Sequence, residues 1–349
     1  MQTERRKELK HLLDEGSFFK IICGAGNEDP EEVKRLSIIY TLAGAKGIDI
    51  SANPEIVLSC VEGVNYAFKI SKSMGIDIGI RPFITVSVGM PGDHHVRKAI
   101  IDKSTCISCD LCIPVCPTDA IPDSFEIIQE KCIGCGFCSA VCPRSDVIDY
   151  FHDEKNLASI LPICINNGAE SIELHAGVAD SEIIQREWEL ICKVNSENLN
   201  SMCLDRLHLS NYLLEERILM AKKVANGELI IQADGYPMSG GEDDFNTTLQ
   251  AIATADVIHK KFNKKLNKIT KKYYYTKESG VYILLSGGTN SLTAILAKQT
   301  DVKFGGISVG TFARKVIQNL IHSDDFYEKE IIKSAHLIAR KLVQSNINS

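Results

Sequence analysis

The sequence of 349 residues contains no apolar run close to the roughly 20 residues that a membrane-spanning helix needs. The charged first segment, Met1–Gly16, also lacks the apolar stretch of a secretory signal peptide. An excess of basic residues is absent as well: the formal net charge is −6, whereas a nucleic-acid surface is normally basic. We therefore expect a cytoplasmic protein with no membrane span and no nucleic-acid partner.

Cysteine, in contrast, is abundant, with 13 residues. In an acidic cytosolic chain, clustered cysteines are more often metal ligands than disulfides. Residues 106–117 read CISCDLCIPVCP and residues 132–143 read CIGCGFCSAVCP. Each follows the pattern C-x2-C-x2-C-x3-C-P, which is the spacing of ferredoxins that hold two iron–sulfur clusters.

In that class of ferredoxin the fourth cysteine of each motif binds the cluster of the other motif. The spacing therefore predicts two four-iron (4Fe–4S) clusters. The first would be held by Cys106, Cys109, Cys112 and Cys142, and the second by Cys132, Cys135, Cys138 and Cys116. A pair of zinc sites is the alternative, but zinc usually takes its four ligands from two short pairs.

On both sides of this segment, short β-rich runs alternate with helical runs. One helix start is marked by Asp29, a capping residue, followed by Pro30. The predicted strands are Phe18–Ala25, Gly47–Ala52, Arg81–Gly89, Ser171–Gly177, Ser201–Asp205, Glu228–Gly235, Val281–Gly288 and Phe304–Gly310.

Eight β-then-α units with short loops predict an α/β fold, a TIM-like (β/α)8 barrel. An open doubly wound sheet is the alternative. The predicted division is residues 1–99 for the first three strands, 100–147 for a ferredoxin-like domain inserted after the third, and 148–349 for the remaining strands and a C-terminal helix. Because βα loops all open on one face of a barrel, the clusters should lie beside its mouth.

Polar residues alternate with apolar residues in several of these strands. Since successive side chains point to opposite faces, the apolar ones should face the helices and the polar ones the barrel axis. The predicted inward set is Asp49, Glu173, His175, Gln232 and Asp234. These residues form either a ligand pocket or internal salt bridges that hold the barrel, and the sequence leaves both interpretations open.

The loops after the seventh and eighth predicted strands are rich in glycine. They contain Ser286, Gly287, Gly288, Thr289, Gly310 and Thr311. Backbone N–H groups can close on an anion at such a position, and many barrels bind phosphate there, including that of flavin mononucleotide (FMN). The loops therefore suggest a phosphate or FMN site, with a simple tight turn as the alternative.

Four stretches together resemble one known family: residues 19–52, the double cysteine motif, residues 232–258 and residues 306–317. In order and spacing they are similar to the light-dependent period (LdpA) family of cyanobacteria, over about residues 18–320. The resemblance implies a redox sensor that relays the light-driven redox state of the cell to the circadian clock, with clock proteins as partners. It also leaves open that one cluster is incomplete, with three irons (3Fe–4S).

Three functions follow from these observations. The favoured one is a sensor whose clusters exchange electrons with electron-carrier or quinone-linked redox partners. The second is a ferredoxin-linked oxidoreductase that binds flavin or a phosphorylated substrate at the barrel mouth, with acid–base chemistry from Glu173, His175 or Asp234. A plain electron carrier ranks last, because about 300 residues beyond a ferredoxin would have no purpose.

Overall fold

The computed structural model describes residues 4–90, 97–152, 156–178, 180–207, 209–236, 243–266, 273–275 and 279–347. Its strands, in chain order, are β1 (Phe18–Ile22), β2 (Gly47–Ser51), β3 (Phe83–Gly89), β4 (Arg97–Ile101), β5 (Ile148–His152), β6 (Ser171–His175), β7 (Ser201–Leu204), β8 (Leu229–Asp234), β9 (Lys264–Leu266), β10 (Tyr273–Tyr275), β11 (Val281–Ser286) and β12 (Gly306–Val309).

The α-helices are α1 (Glu4–Asp14), α2 (Pro30–Ala43), α3 (Pro54–Ser71), α4 (Phe137–Val141), α5 (Leu157–Asn167), α6 (Ser181–Val194), α7 (Asn211–Val224), α8 (Asp244–Ile258), α9 (Thr293–Lys298), α10 (Thr311–Lys315), α11 (Gln318–Ile321) and α12 (Lys329–Ile347). A 3₁₀ turn, Lys72–Met74, extends α3, and a π-helical turn, His259–Asn263, follows α8. Among the described residues, none of the helices combines the length and apolarity needed to cross a membrane.

Eight parallel strands close into a barrel in the order β1-β12-β11-β8-β7-β6-β3-β2. The predicted (β/α)8 barrel is thus confirmed, and the open doubly wound sheet is wrong. Each predicted strand extended one to three residues too far at one or both ends. At these ends the chain turns into a loop; Gly24 and Gly287, for example, adopt left-handed φ angles of 107° and 63°, which do not continue a strand.

The barrel strands have an apolar outer face, and their inner face is polar in the half nearer the strand ends. Outward residues such as Ile48, Ile172 and Ile231 are fully or almost fully buried and belong to the main core between strands and helices. One of these helices, α2, begins where the Asp29-Pro30 pair predicts. The Asp29 side chain accepts hydrogen bonds from the backbone N–H groups of Glu31 and Glu32, which satisfies two donors of the first turn.

The N-terminal helix α1 closes the bottom of the barrel, where the parallel strands begin. Its residues Leu9, Leu12 and Leu13 form a separate apolar cluster with residues at the strand starts, among them Phe18 and Phe83. The bottom of the barrel is therefore sealed by apolar packing, and the polar inner face opens only towards the other end.

The cysteine-rich segment is inserted between β3 and α5, as predicted. It is framed by the antiparallel hairpin of β4 and β5, in which Arg97 pairs with His152 and Ile101 with Ile148. The insertion has a small apolar core of its own, which includes Ala99, Ala120 and several motif cysteines. Because β3 ends at the barrel mouth, the insertion lies on the side where the polar inner face is open.

Candidate iron–sulfur centre and barrel-mouth cavity

The eight motif cysteines gather into two groups of four, and each group lines its own small cavity. The outer group is Cys106, Cys109, Cys112 and Cys142. The inner group is Cys116, Cys132, Cys135 and Cys138. All eight are thiols rather than disulfides. The fourth cysteine of each motif therefore lies with the first three of the other motif.

Local backbone conformation explains how each motif wraps round a cavity. Ser108 and Asp110 in the first motif have positive φ angles of 51° and 59°. Gly134 and Gly136, at the equivalent positions of the second motif, have φ angles of 64° and 88°. Glycine adopts this conformation at no steric cost. The two motifs thus have the same curled backbone, which the second achieves with less strain.

Backbone N–H groups of one curled loop and of neighbouring segments point at sulfur. Ser108 donates to Cys106 Sγ at 3.4 Å, Ala120 to Cys116 Sγ at 3.2 Å and Ala99 to Cys132 Sγ at 3.4 Å. Such donors stabilise negative charge on the ligands of an iron–sulfur cluster and tune its reduction potential.

A four-iron cluster requires four thiolates around one cavity, amide donors to the sulfurs and apolar surroundings. Both cysteine groups meet these requirements and therefore fit this cofactor. A bound cluster would supply exchange of single electrons. Burial raises the pKa of Cys135 to about 11. Since the ligand is the thiolate, iron binding at the inner group would release protons.

The inner group is held against the barrel by polar contacts. Lys98, which is buried, donates to the carbonyl oxygens of Gly26, Gln129 and Cys132, the last two at 2.7 and 2.8 Å. Gln318, at the start of α11, donates to the carbonyl of Pro117 at 3.2 Å. The cluster segment and the loop after β1 therefore share one buried ammonium group.

A cavity of about 690 Å³ occupies the barrel mouth, within the size range of small-molecule sites. Its wall includes Cys116, Ile133 and Cys135 of the cluster segment, and its floor is polar. The inner cysteine group thus borders the cavity directly. From the predicted inward set, the floor contains Glu173, His175, Gln232 and Asp234.

Asp49 lies beneath this floor in an ion-pair network. Lys20 Nζ contacts Asp49 Oδ2 at 2.6 Å and Glu173 Oε2 at 2.8 Å, and all three side chains are at most 2% exposed. Ser87 donates to Asp49, and Ser201 donates to Glu173 Oε2 at 2.7 Å. The sequence left open whether the inward polar residues form internal salt bridges or a ligand pocket. The barrel interior contains both, with the pocket directly above the salt bridges.

The pKa values within this network are shifted in opposite directions. Burial raises the pKa of Asp49 to about 6 against the attraction of Lys20, and Glu173 adds repulsion. Burial also disfavours the charged form of Glu173, but Lys20 and His175 outweigh it, and the pKa of Glu173 is lowered. Attraction to Lys20 therefore outweighs burial at Glu173, whereas burial outweighs it at Asp49.

Above the network, four further polar side chains and Glu173 come together at the floor of the cavity. His175 Nε2 lies 3.8 Å from Glu173 Oε1. Gln232 Nε2 donates to the same oxygen at 2.9 Å. Cys203 Sγ donates to Asp234 Oδ2 at 3.0 Å. An imidazole and two carboxylates therefore line the floor, and a thiol lies directly against one of the carboxylates.

The two glycine-rich loops also line the cavity, through Ser286, Gly287, Gly288, Thr289, Gly310 and Thr311. The first loop is a fixed turn, because the Gly288 carbonyl accepts from Thr247 at 3.0 Å and from Thr248 at 3.2 Å. It does not open a helix directly, since α9 begins only at Thr293. Cations line the cavity as well, among them Arg97 and Lys315.

Sequence reasoning missed three residues that shape this site: Lys20, Cys203 and Lys98. Lys20 lies in the apolar run FFKII, where strict alternation would have placed it on the inner face. Cys203 lies two residues after Ser201 in the same strand, so strand alternation would likewise have predicted that it faces inward. No local signal indicated Lys98, because its acceptors lie in distant loops.

The fold and the two cysteine groups define an iron–sulfur protein built on a (β/α)8 barrel. A family model described as "4Fe-4S dicluster domain" matches residues 99–150. Another, described as "Light dependent period A C-terminal domain", matches residues 163–345, more than half of the chain. The chain therefore belongs to the light-dependent period A family, and the resemblance noted from the sequence is confirmed.

A curated relative is Light dependent period A of Synechococcus elongatus. It is 29% identical over 320 residues, which cover 88% of this chain and 83% of the relative. Two solved structures are also similar. The YdjI aldolase from Escherichia coli K12 is 7% identical, with 98% of this chain and 94% of that chain covered and a TM-score of 0.46. A tryptophan synthase alpha chain from Legionella pneumophila is 10% identical, with 99% and 97% covered and a TM-score of 0.46.

Proposed function

We propose that this chain is a cytoplasmic redox sensor with two four-iron clusters that takes part in light-dependent control of the circadian period. The observation that carries the proposal is that the inner cysteine group borders the barrel-mouth cavity. An electron gained there adds negative charge beside the polar floor and the loop after β1. The name of the Synechococcus relative supports the link to the clock, and clock proteins are the proposed partners.

The ligands of the first cluster are Cys106, Cys109, Cys112 and Cys142, and those of the second are Cys132, Cys135, Cys138 and Cys116. Cys109 is exposed, and its neighbours Ile107 and Leu111 are 58% and 50% exposed. Electrons from an electron carrier or a quinone-linked donor therefore enter at the first cluster. They pass to the second, which is the cluster that the barrel can sense.

The ligand assignment is tested by substituting the fourth cysteine of each motif. Cys142→Ser should alter the electron paramagnetic resonance (EPR) signal of the first cluster, and Cys116→Ser that of the second. Iron and sulfide analysis of the anoxic wild-type protein separates two four-iron clusters from one four-iron and one three-iron cluster. If each substitution instead alters the cluster of its own motif, the crossed assignment is wrong.

The sensor proposal is tested by hydrogen exchange in the oxidised and reduced protein. We expect reduction to change amide exchange in residues 23–29 and 311–318, which border the inner cluster. The Cys116→Ser variant should lose most of this change, whereas Cys142→Ser should retain more of it. Identical exchange in the two states of the wild-type protein would contradict a sensing role.

A second candidate function is a ferredoxin-linked oxidoreductase, favoured by the size of the cavity next to the inner cysteine group. The loops of Gly287, Gly288 and Gly310 would bind FMN or a phosphorylated substrate, with Arg97 and Lys315 supplying positive charge. Glu173, His175 or Asp234 would move protons. Anoxically purified protein should then contain FMN or bind it on titration. Absence of both would rule out the flavin form of this function.

A further inference from the structure

We propose that the floor of the cavity is a binding site for a zinc-type divalent cation, with Glu173, His175 and Cys203 as ligands and Asp234 beside them. This site shares no residue with the two cysteine motifs. It is also independent of the sensor function, because it rests on a different set of side chains.

The geometry of the three side chains points to one shared ion. One ligand atom from each of Glu173, His175 and Cys203 lies within 4.8 Å of the other two. The strand register pairs His175 with Cys203 and Glu173 with Ser201, so β6 and β7 present them at adjacent levels of the same inner face. Asp234 extends the group across β8, since its Oδ2 lies 3.0 Å from Cys203 Sγ.

The chemistry of the donors favours zinc. Zinc is bound by thiolate, imidazole and carboxylate together, whereas magnesium and calcium prefer oxygen ligands alone. All four side chains are almost fully buried, between 1% and 6% exposed, so little of their surface competes with water for the ion. Binding would transfer the thiol proton of Cys203 to solvent, because the ligand is the thiolate.

The surroundings of Glu173 are those of an oriented ligand. Its Oε2 accepts from Lys20 at 2.8 Å and from Ser201 at 2.7 Å, and its Oε1 accepts from Gln232 at 2.9 Å. Hydrogen bonds of this kind fix the direction in which a metal-binding carboxylate points. Since Glu173 and His175 also line the cavity, an ion bound to them would have a position open to a small molecule.

The test uses the full, iron-loaded chain prepared without oxygen. After incubation with zinc chloride and desalting, we expect about one zinc per chain in addition to the cluster iron. X-ray absorption at the zinc edge should show about one sulfur at ~2.3 Å together with nitrogen or oxygen at ~2.0–2.1 Å. A shell of four sulfurs would mean that zinc had entered a cluster site, and it would overturn the proposal.

His175→Gln and Cys203→Ser should each weaken zinc binding at least tenfold while the iron content stays constant. The matched control is Cys192→Ser, a half-buried cysteine of α6 that lies outside the inner face. Circular dichroism checks that each variant folds, and the histidine variant remains informative if the cysteine variant does not. Zinc retention that is equal in wild type and His175→Gln would overturn the proposal, as would an iron-loaded wild type that binds no zinc.

Discussion

At the scale of single residues, the charge balance inside the barrel depends on Lys20. Its ammonium group lies between Asp49 and Glu173, and all three are almost fully buried. Removing one partner from a buried ion pair leaves an uncompensated charge, which costs more than the net contribution of the pair. The main role of the network is therefore to compensate buried charge inside the barrel; its net contribution to the free energy of unfolding is smaller.

We predict that Lys20→Met lowers the free energy of unfolding by about 3–5 kcal/mol, because two buried carboxylates are then left near each other. The measurement is urea denaturation monitored by circular dichroism at neutral pH. Lys34→Met is the matched control, since Lys34 pairs with the largely exposed Glu62 and such a pair contributes less than about 1 kcal/mol. Equal losses in the two variants would contradict the prediction.

A pH dependence follows from Asp49, whose pKa burial raises from 3.8 to about 6. The folded protein binds this proton more tightly than the unfolded chain does, so the contribution of Asp49 to stability is present below about pH 4. It is lost as the pH rises through about 6. The free energy of unfolding of Asp49→Asn, measured relative to wild type, should therefore rise by up to about 3 kcal/mol between pH 4 and pH 7. Denaturation at several pH values checks this, and a difference that is independent of pH would contradict it.

At the scale of elements, the hairpin of β4 and β5 both carries the cysteine motifs and connects them to the barrel. Lys98 of β4 donates to carbonyls in the loop after β1 and in the second motif. Arg97, its neighbour, donates to the carbonyl of Gly134 at 3.0 Å. Two cations thus bind the backbone of the inner cysteine group, where they also favour the reduced, more negative state of a cluster.

We expect Lys98→Gln to loosen the inner cysteine group from the barrel, because carbonyl groups that Lys98 satisfies lose a charged donor. Hydrogen exchange should accelerate in residues 24–29 and 129–135, and the reduction potential of the second cluster should fall. Lys103→Gln is the control, since Lys103 is exposed and forms an ion pair with the exposed Glu126. Unchanged exchange in Lys98→Gln would count against this role.

At the scale of the whole molecule, the barrel has two chemically different ends. The bottom is apolar and closed by α1, and the mouth is polar and bordered by the inner cysteine group. Stability at the bottom and the proposed redox chemistry at the mouth are therefore separated by the length of the strands.

This separation predicts that Leu12→Ala lowers stability without altering the clusters. Leu12 is 6% exposed in the bottom cluster, and such a truncation costs about 2–5 kcal/mol. Denaturation measures the loss, and the visible iron–sulfur spectrum should stay unchanged. Leu58→Ala, at a position 49% exposed, should change stability by less than about 0.5 kcal/mol. A lost cluster spectrum in folded Leu12→Ala protein would show that the two ends are coupled.

Much of this architecture was predictable because it is recorded in short-range patterns. The alternation of apolar and polar residues in Ser171–His175 indicated both a strand and its inward face, and the Asp29-Pro30 pair indicated a helix start. The bottom closure by α1 was not predictable in the same way. The apolar residues of α1 acquire their role only in the folded barrel, where they pack against the starts of several strands that are distant in sequence.

By itself, the sequence determined the eight strands, the insertion after the third and the spacing of the cysteine motifs, since each depends on residues close together in the chain. Only the tertiary structure decided which side chains meet. Lys20 is 29 residues from Asp49 and 153 from Glu173, and His175 meets Cys203 only through the register of β6 and β7. These contacts form only when the barrel closes, because the stagger between strands determines which side chains face each other across the barrel axis. No local sequence pattern encodes that stagger.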